Sequence, residues 1–444
     1  MTDKEPNDKN DTVEDVAYDP YEHREVDGRT LVSDFGSWAN LVKSAVGTGL
    51  FAMPHAFACV GILVGIIGTI IMGVLITISL HLLVQAHYKV CVKIQKPALS
   101  YSELVTSTMK SGPRRVKAAA EWTIFVVDVI MLMCYIGIGS IYVVFIAGVV
   151  QECLDSNKTI SQGYYALILI PFFLVMNMIK HLKALAPFSM LGNLFLLIAA
   201  IIGVVYSLKD GIGNEYEIVR SELNLYPKFL GTVFFSMCSP GLILSIENSM
   251  KNPENYNKPC GVFNLGMSVV IIIHVLIGSI GYLKWGPDSR ANFIRNHLEN
   301  DVATVIALVF QALAIYFSYG LQCYMPISIL HEDYALPGIE EGDCAGTSFL
   351  WDQIIRISVT LITCILAATI PKLDIFIGLV GAFSMTTLGV VIPVALYLIV
   401  YLNNFGRYRW RFVLGIFLLF VGLTCMICAT VTSMILIVRF FKYG

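Results

Sequence analysis

Apolar residues in this chain come in runs of about twenty, each long enough to cross a bilayer as a helix. A soluble core would scatter them at helical spacing instead. Eleven such runs can be placed, at 38–58, 61–87, 120–150, 162–179, 187–207, 228–249, 261–283, 301–326, 351–370, 375–402 and 411–438. Of the 444 residues 56% are hydrophobic and 14% charged, with mean hydropathy +0.72, whereas soluble chains average about 45–50% apolar and about 25% charged. A soluble enzyme, a nucleic-acid binder and a secreted disulfide scaffold are excluded. Backbone in lipid must satisfy its hydrogen bonds within the segment and no barrel-like alternation is present, so the spans are helices. The expectation is an all-α polytopic membrane protein.

Residues 1–34 hold eleven acidic side chains against four basic ones. This polar stretch has little apolar periodicity and reads as a disordered cytosolic tail. It lacks the pattern of a cleavable signal, so the first span directs insertion. With a cytosolic N-terminus the inner segments carry nineteen Lys and Arg, seven of them in the 88–119 loop, and the outer segments ten. The positive-inside rule favours that orientation; the basic loop is either this signal alone or also a contact for anionic lipid. Asn157-Lys158-Thr159 then lies outside and is expected to carry a glycan. Asn10-Asp11-Thr12 lies inside and is expected to stay unmodified. Cys134, Cys238, Cys323, Cys364, Cys425 and Cys428 sit within apolar runs and read as small apolar side chains.

Most spans read as continuous; two do not. The first contains Gly47-Thr48-Gly49 with Pro54 beyond it, and the sixth contains Ser239-Pro240-Gly241 in mid-span. Proline removes an N–H and glycine tolerates unwound dihedrals. In hydrocarbon such breaks are tolerated where the freed groups are buried in protein or line a cavity. They open spans 1–5 and spans 6–10 respectively, which points to a five-plus-five inverted repeat with its site at the midplane. The competing reading is close helix packing at small residues. The expected division is a tail at 1–37, a first repeat at 38–210, a second at 211–404, and an additional helix with a short non-cytosolic C-terminus at 405–444.

Paired half-helix ends offer free N–H groups at one end and free carbonyls at the other. A zwitterion fits both without a fully charged side chain at the midplane. Its carboxylate is expected on the N–H groups around Gly47, Thr48 and Gly49. Its ammonium is expected on carbonyls near Ser44 and Ala45 and near Ser236 to Ser239, with Gly241 in the second break. Tyr135, Cys238, Ser318 and Tyr319 are expected to face the ligand's side chain. This pattern points to a small amino acid, though other zwitterions and small amines fit it too.

Leu41 to Leu50, Ile246-Glu247-Asn248-Ser249-Met250-Lys251-Asn252-Pro253, Gly281 to Gly286 and Phe317 to Gln322 together resemble the proton-assisted amino acid transporters of the amino acid/auxin permease family. The resemblance covers nearly the whole chain beyond the tail. It implies eleven spans, a leucine-transporter-like core and transport of small neutral amino acids, often with a proton, at the cell surface or in endosomes and lysosomes. Two departures stand out. Coupled members typically have a histidine where this chain has Asn40. Some members have an external disulfide; Cys153 matches its first half, but residues 284–300 contain no cysteine.

Ionisable groups at membrane depth are functional candidates by default. His55 is either a proton carrier replacing the missing histidine or a water-satisfied residue at the outer mouth. Asp128 pairs with Lys43 at an inner gate or accepts a proton, and Glu247 takes part in inner-gate hydrogen bonding or accepts a proton. Lys43 alternatively reaches the cytosolic interface, and His274 reads as a packed core histidine. Secondary transport of small neutral amino acids, with protons as candidate co-substrate, is the leading function. The alternative is an amino-acid sensor signalling through partners at the tail or near His331-Glu332-Asp333. No cofactor, metal-ligand spacing or nucleophile–base pairing is apparent in the spans, and no filter-like run suggests a channel.

Overall fold

The computed structural model describes residues 18–23, 31–45, 47–155, 159–179, 182–209, 211, 213, 215–297, 302–336, 345–370, 372–402 and 409–443. Among these it is helical, with one isolated bridge between Val32 and Met250. The first span is two helices, α1 (Asp34–Ala45) and α2 (Thr48–Val60), and the second is α3 (Ile62–Ile94). Short helices α4 (Tyr101–Ser111) and α5 (Arg114–Ala118) fill the basic loop. Ser100 starts α4 with a reciprocal capping box to Glu103. The third span is α6 (Ala120–Leu154), the fourth α7 (Gln162–Ile168) with α8 (Ile170–Asn177), and the fifth α9 (Leu182–Lys209).

The sixth span is again two helices, α10 (Tyr226–Met237) and α11 (Pro240–Asn248). Then follow α12 (Val262–Trp285), α13 (Val302–Ser328), α14 (Ala345–Thr369), α15 (Leu373–Val380) with α16 (Ile392–Val400), and α17 (Trp410–Tyr443). Nine segments among the described residues are long and apolar enough to cross a membrane. The expected first and fourth spans are not among them, because their helices, α1, α2, α7 and α8, are each short.

Interruption is more widespread than the sequence suggests. The fourth span breaks at Leu169, where Pro171 withholds an amide from the helical ladder. The tenth widens into π-turns over Gly381–Met385 and Thr387–Val391, and the Thr386 hydroxyl donates to the Gly381 carbonyl. Burial ranks the spans. In their most apolar windows 78% of the tenth and 72% of the third and sixth are buried, against 22% of α17. The third, sixth and tenth spans therefore form the centre together with α2, which is buried at every position but His55, and α17 lies at the lipid-facing edge. The chain before α1 is anchored. The Val32 amide donates to the Ser249 carbonyl (2.8 Å) and the Lys251 amide to the Val32 carbonyl (2.9 Å), tying the start of α1 to the end of α11.

Candidate functional site

The first and sixth spans cross at their breaks. Gly47 is extended (φ −129°, ψ −157°) and starts α2. Cys238 is extended after α10, and Pro240 opens α11 at a position where no amide is needed. The Ser239 hydroxyl donates to the Ser44 carbonyl at 3.3 Å, joining one break to the other. A Cβ on Gly49 would stand 2.6 Å from the Ser236 Cα, so glycine is what lets the two helices meet.

From this crossing a cavity of about 300 Å³ reaches exposed Asn40, at the small end of the about 300–1,000 Å³ typical of ligand pockets. Lys43, Ser44, Gly47 and Thr48 form one wall. Ser245 of α11, Asn193 of α9, and Ser318 and Gln322 of α13 complete it. The first amides of α2 have no intrahelical partner to give, and the positive end of that helix faces this space. Lys43 is the single charged side chain among the described lining residues.

Four of the twelve expected binding residues line the cavity: Ser44, Gly47, Thr48 and Ser318. Ala45 and Gly49 are buried behind them. The Ser236 hydroxyl donates to the Thr232 carbonyl within its own helix (2.8 Å). Gly241 packs against the Tyr135 hydroxyl. The Cys238 thiol is directed at the Met385 carbonyl (3.6 Å) and against Gly389, toward the tenth span. Tyr319 is fully buried and shares a 2.7 Å hydrogen bond with Thr363 on α14. The expected glycan site Asn157 lies outside the described residues, as do Asn10 and most of the acidic tail.

Sequence reasoning missed Asn40, Tyr142, Asn193, Ser245, Ser249 and Gln322, all of which line the cavity. Asn193 carried a usable signal as a lone amide after Gly192 in an otherwise apolar run. Of the ionisable candidates, Lys43 faces the cavity. Asp128 accepts from the Tyr334 hydroxyl (3.2 Å). Glu247 lies against His87 (3.5 Å) with both side chains fully buried. His274 is also buried and donates from Nδ1 to the Val270 carbonyl (2.8 Å).

The opposite side is shut. The ring of Phe51 stacks on Phe293 at 5.7 Å, and the His55 Nδ1–H donates to the Ser289 carbonyl at 2.7 Å. The Arg220 guanidinium donates to the Ala58 carbonyl (2.7 Å) and the Ile62 amide to the Glu217 carbonyl (3.1 Å). Segments 215–222 and 286–297 thus cap α2. Lys228 of α10 and Asp374 of α15 form an ion pair at 2.7 Å. The cavity is therefore accessible from the Asn40 side and closed on the His55 side.

A family model described as transmembrane amino acid transporter protein matches residues 33–436. The chain is 28% identical over 410 residues to the Drosophila melanogaster proton-coupled amino acid transporter-like protein pathetic, covering 90% of this chain and 85% of that one. It is 24% identical over 402 residues to the Arabidopsis thaliana amino acid transporter AVT3C, covering 86% of each. Among solved structures it is similar to MhsT in complex with L-phenylalanine, with TM-score 0.52 and 11% identity over 91% of this chain and 99% of that one. It is also similar to Mhp1 in an inward-facing conformation, with TM-score 0.52 and 13% identity over 90% and 91%. At such identities the likeness is one of fold, and that fold is leucine-transporter-like.

Proposed function

The chain belongs to the transmembrane amino acid transporter protein family, and from that premise we propose that it carries small neutral amino acids by alternating access, coupled to protons. Family and fold are those of a transporter, so the reading as a sensor without flux is set aside. The observation that carries the proposal is the cavity where the two broken spans cross.

Its volume suits a small solute. The α2 amides and the Lys43 ammonium favour a carboxylate, while the carbonyls ending α1 suit an ammonium. No carboxylate side chain lines the cavity among the described residues, so a cationic substrate side chain would find no partner there. Coupling is supported by the name of the Drosophila relative, which is proton-coupled. With the N-terminus in the cytosol, this conformation faces inward. Two five-helix repeats, at 38–210 and 211–404, then rock about the crossing. The host membrane is that of the cell surface or of endosomes and lysosomes.

The test is uptake of a labelled panel (glycine, alanine, proline, leucine, glutamate, arginine) into proteoliposomes, with and without an acidic exterior. The expected result is uptake of the small neutral members, concentrated inside by the pH gradient. Uptake of none, or preference for the charged members, overturns the reading.

A further inference from the structure

We propose that a second cavity, beside the substrate cavity, takes a single-chain carboxylic acid from the surrounding lipid. Its head sits on Lys43 and its tail lies between α1, α9 and α12; the block this imposes on substrate rests on the transport reading. The cavity measures about 510 Å³. Trp38 and Val42 of α1 form one wall, Ala200 and Val204 of α9 a second, and Ile277 of α12 a third. Leu197, Ile201 and Val205 along its rim are exposed, which in a span such as α9 is exposure to lipid. Among the described residues, Lys43 and Asn193 supply the only charged and amide side chains of its lining. A mostly apolar wall with a few placed polar groups is the usual make-up of a ligand site. Lys43, Asn193 and Leu196 also line the substrate cavity. The two spaces therefore adjoin at Lys43, one polar and open toward Asn40, the other apolar and open to lipid.

Lipid tails are as apolar as this groove, so hydrophobicity alone gives a tail little reason to leave the bilayer. Charge supplies the reason. Lys43 is half-buried in the last turn of α1, and no carboxylate lines either cavity among the described residues. An ammonium at membrane depth is costly without an anion, and its attraction for one is strong where water is scarce.

Depth then selects the anion. Lys43 stands about 14 Å along the helix from Asp34 at the start of α1, close to the half-thickness of a bilayer core, about 15 Å. A phospholipid phosphate is permanently charged and stays with the headgroups, whereas a carboxylic acid crosses hydrocarbon in its neutral form. At Lys43 its O–H bond breaks, the proton leaves through the polar cavity to water as hydronium, and the carboxylate stays paired with the ammonium. The substrate carboxylate then loses its cation. The tail, lying between α1 and α9, wedges α1 in the position seen here and keeps the cavity open on the Asn40 side.

Trp38 makes binding visible. Bromine on an acyl chain quenches a nearby indole, so ω-bromoundecanoate is the probe, with its methyl ester as the control for simple partition into lipid. The full-length protein in nanodiscs should show a saturable quench with the acid and an unsaturable one with the ester. Trp122, Trp351 and Trp410 are exposed and should respond to both alike. Trp38→Phe should remove the saturable part. Lys43→Met should weaken the acid at least about tenfold, a change of about 1.4 kcal/mol, and Lys43→Arg should restore it. Ala200→Leu fills the groove from α9 and should weaken the acid likewise, which decides the matter if Lys43→Met does not fold. Equal quenching by acid and ester, or a saturable quench that survives in Trp38→Phe, overturns the site. Alanine counterflow at equal pH reads the consequence, and saturating acid should slow it at least about tenfold. Unslowed counterflow at a saturated quench overturns the block. A wild type without any counterflow defeats the transport reading, while the quench still decides the site.

Discussion

Gly49 and Ser236 meet backbone to backbone: a Cβ on Gly49 would stand 2.6 Å from the Ser236 Cα. Gly47, two residues earlier, has open space where its Cβ would be. The two glycines therefore answer to different constraints. Gly49→Ala should part the broken spans and lower uptake at least about tenfold at matched surface level, the effect of about 1.4 kcal/mol. Gly47→Ala should stay closer to wild type. Equal losses in the two variants would show that the crossing does not depend on this contact.

Tyr135 reaches the second break from α6, and its hydroxyl occupies the space a Gly241 side chain would need. Gly241→Ala should impair uptake through that single atom. Tyr135→Phe removes the atom, so the double variant should recover what Gly241→Ala loses. A double-mutant cycle in uptake measures the coupling, expected at about 0.5–3 kcal/mol for residues in contact. Additive losses would place the Gly241 constraint elsewhere.

The two breaks are legible in the sequence because Gly47, Gly49, Pro240 and Gly241 violate helix chemistry inside apolar runs. Helix rotation is not. Ser318 and Tyr319 are neighbours in sequence, yet one lines the cavity and the other bonds Thr363 on the far face. In a span that is apolar all round, periodicity carries no face signal. The direction of Cys238 escapes for a related reason, since unwound backbone has no helical phase to extrapolate. Pro171 is visible, but how far the fourth span yields at it is not, since Leu169 keeps helical bonds to Tyr165 and Phe173. The meeting of His87 with Glu247 comes from segments far apart in the chain, and local pattern says nothing about it.

His55 sits on the closed side with Nδ1 bonded to the Ser289 carbonyl. A carbonyl can only accept, so Nδ1 carries hydrogen whether the ring is neutral or charged. Titration leaves this bond intact, and its role is to hold the 286–297 segment over α2. His55→Gln, which keeps a donor, should retain the wild-type pH profile of uptake, whereas His55→Ala should reduce uptake at every pH. A flattened profile in His55→Gln would return this residue to proton carriage.

Topology is checked independently by glycosylation. Asn157 should carry the single glycan, so Asn157→Gln should abolish the glycosidase-sensitive shift on a gel while Asn10→Gln leaves it unchanged. Loss of the shift in Asn10→Gln instead would reverse the orientation and make the observed conformation outward-facing.

Lys228 and Asp374 close the His55 side by joining α10, the first half of the sixth span, to α15. Their side chains are 12% and 27% exposed, so the cost of removing one partner falls below the about 3–5 kcal/mol of a fully buried pair. It still leaves a largely desolvated charge behind. Asp374→Asn and Lys228→Met should each lower the melting temperature of the purified protein. The double variant Lys228→Met/Asp374→Leu leaves no unpaired charge and should melt closer to wild type than either single variant. In uptake the order should differ, because the double variant also lacks the attraction that shuts this side and should spend longer open there. A double variant less stable than both singles would mean that the pair contributes net stability beyond mutual neutralisation.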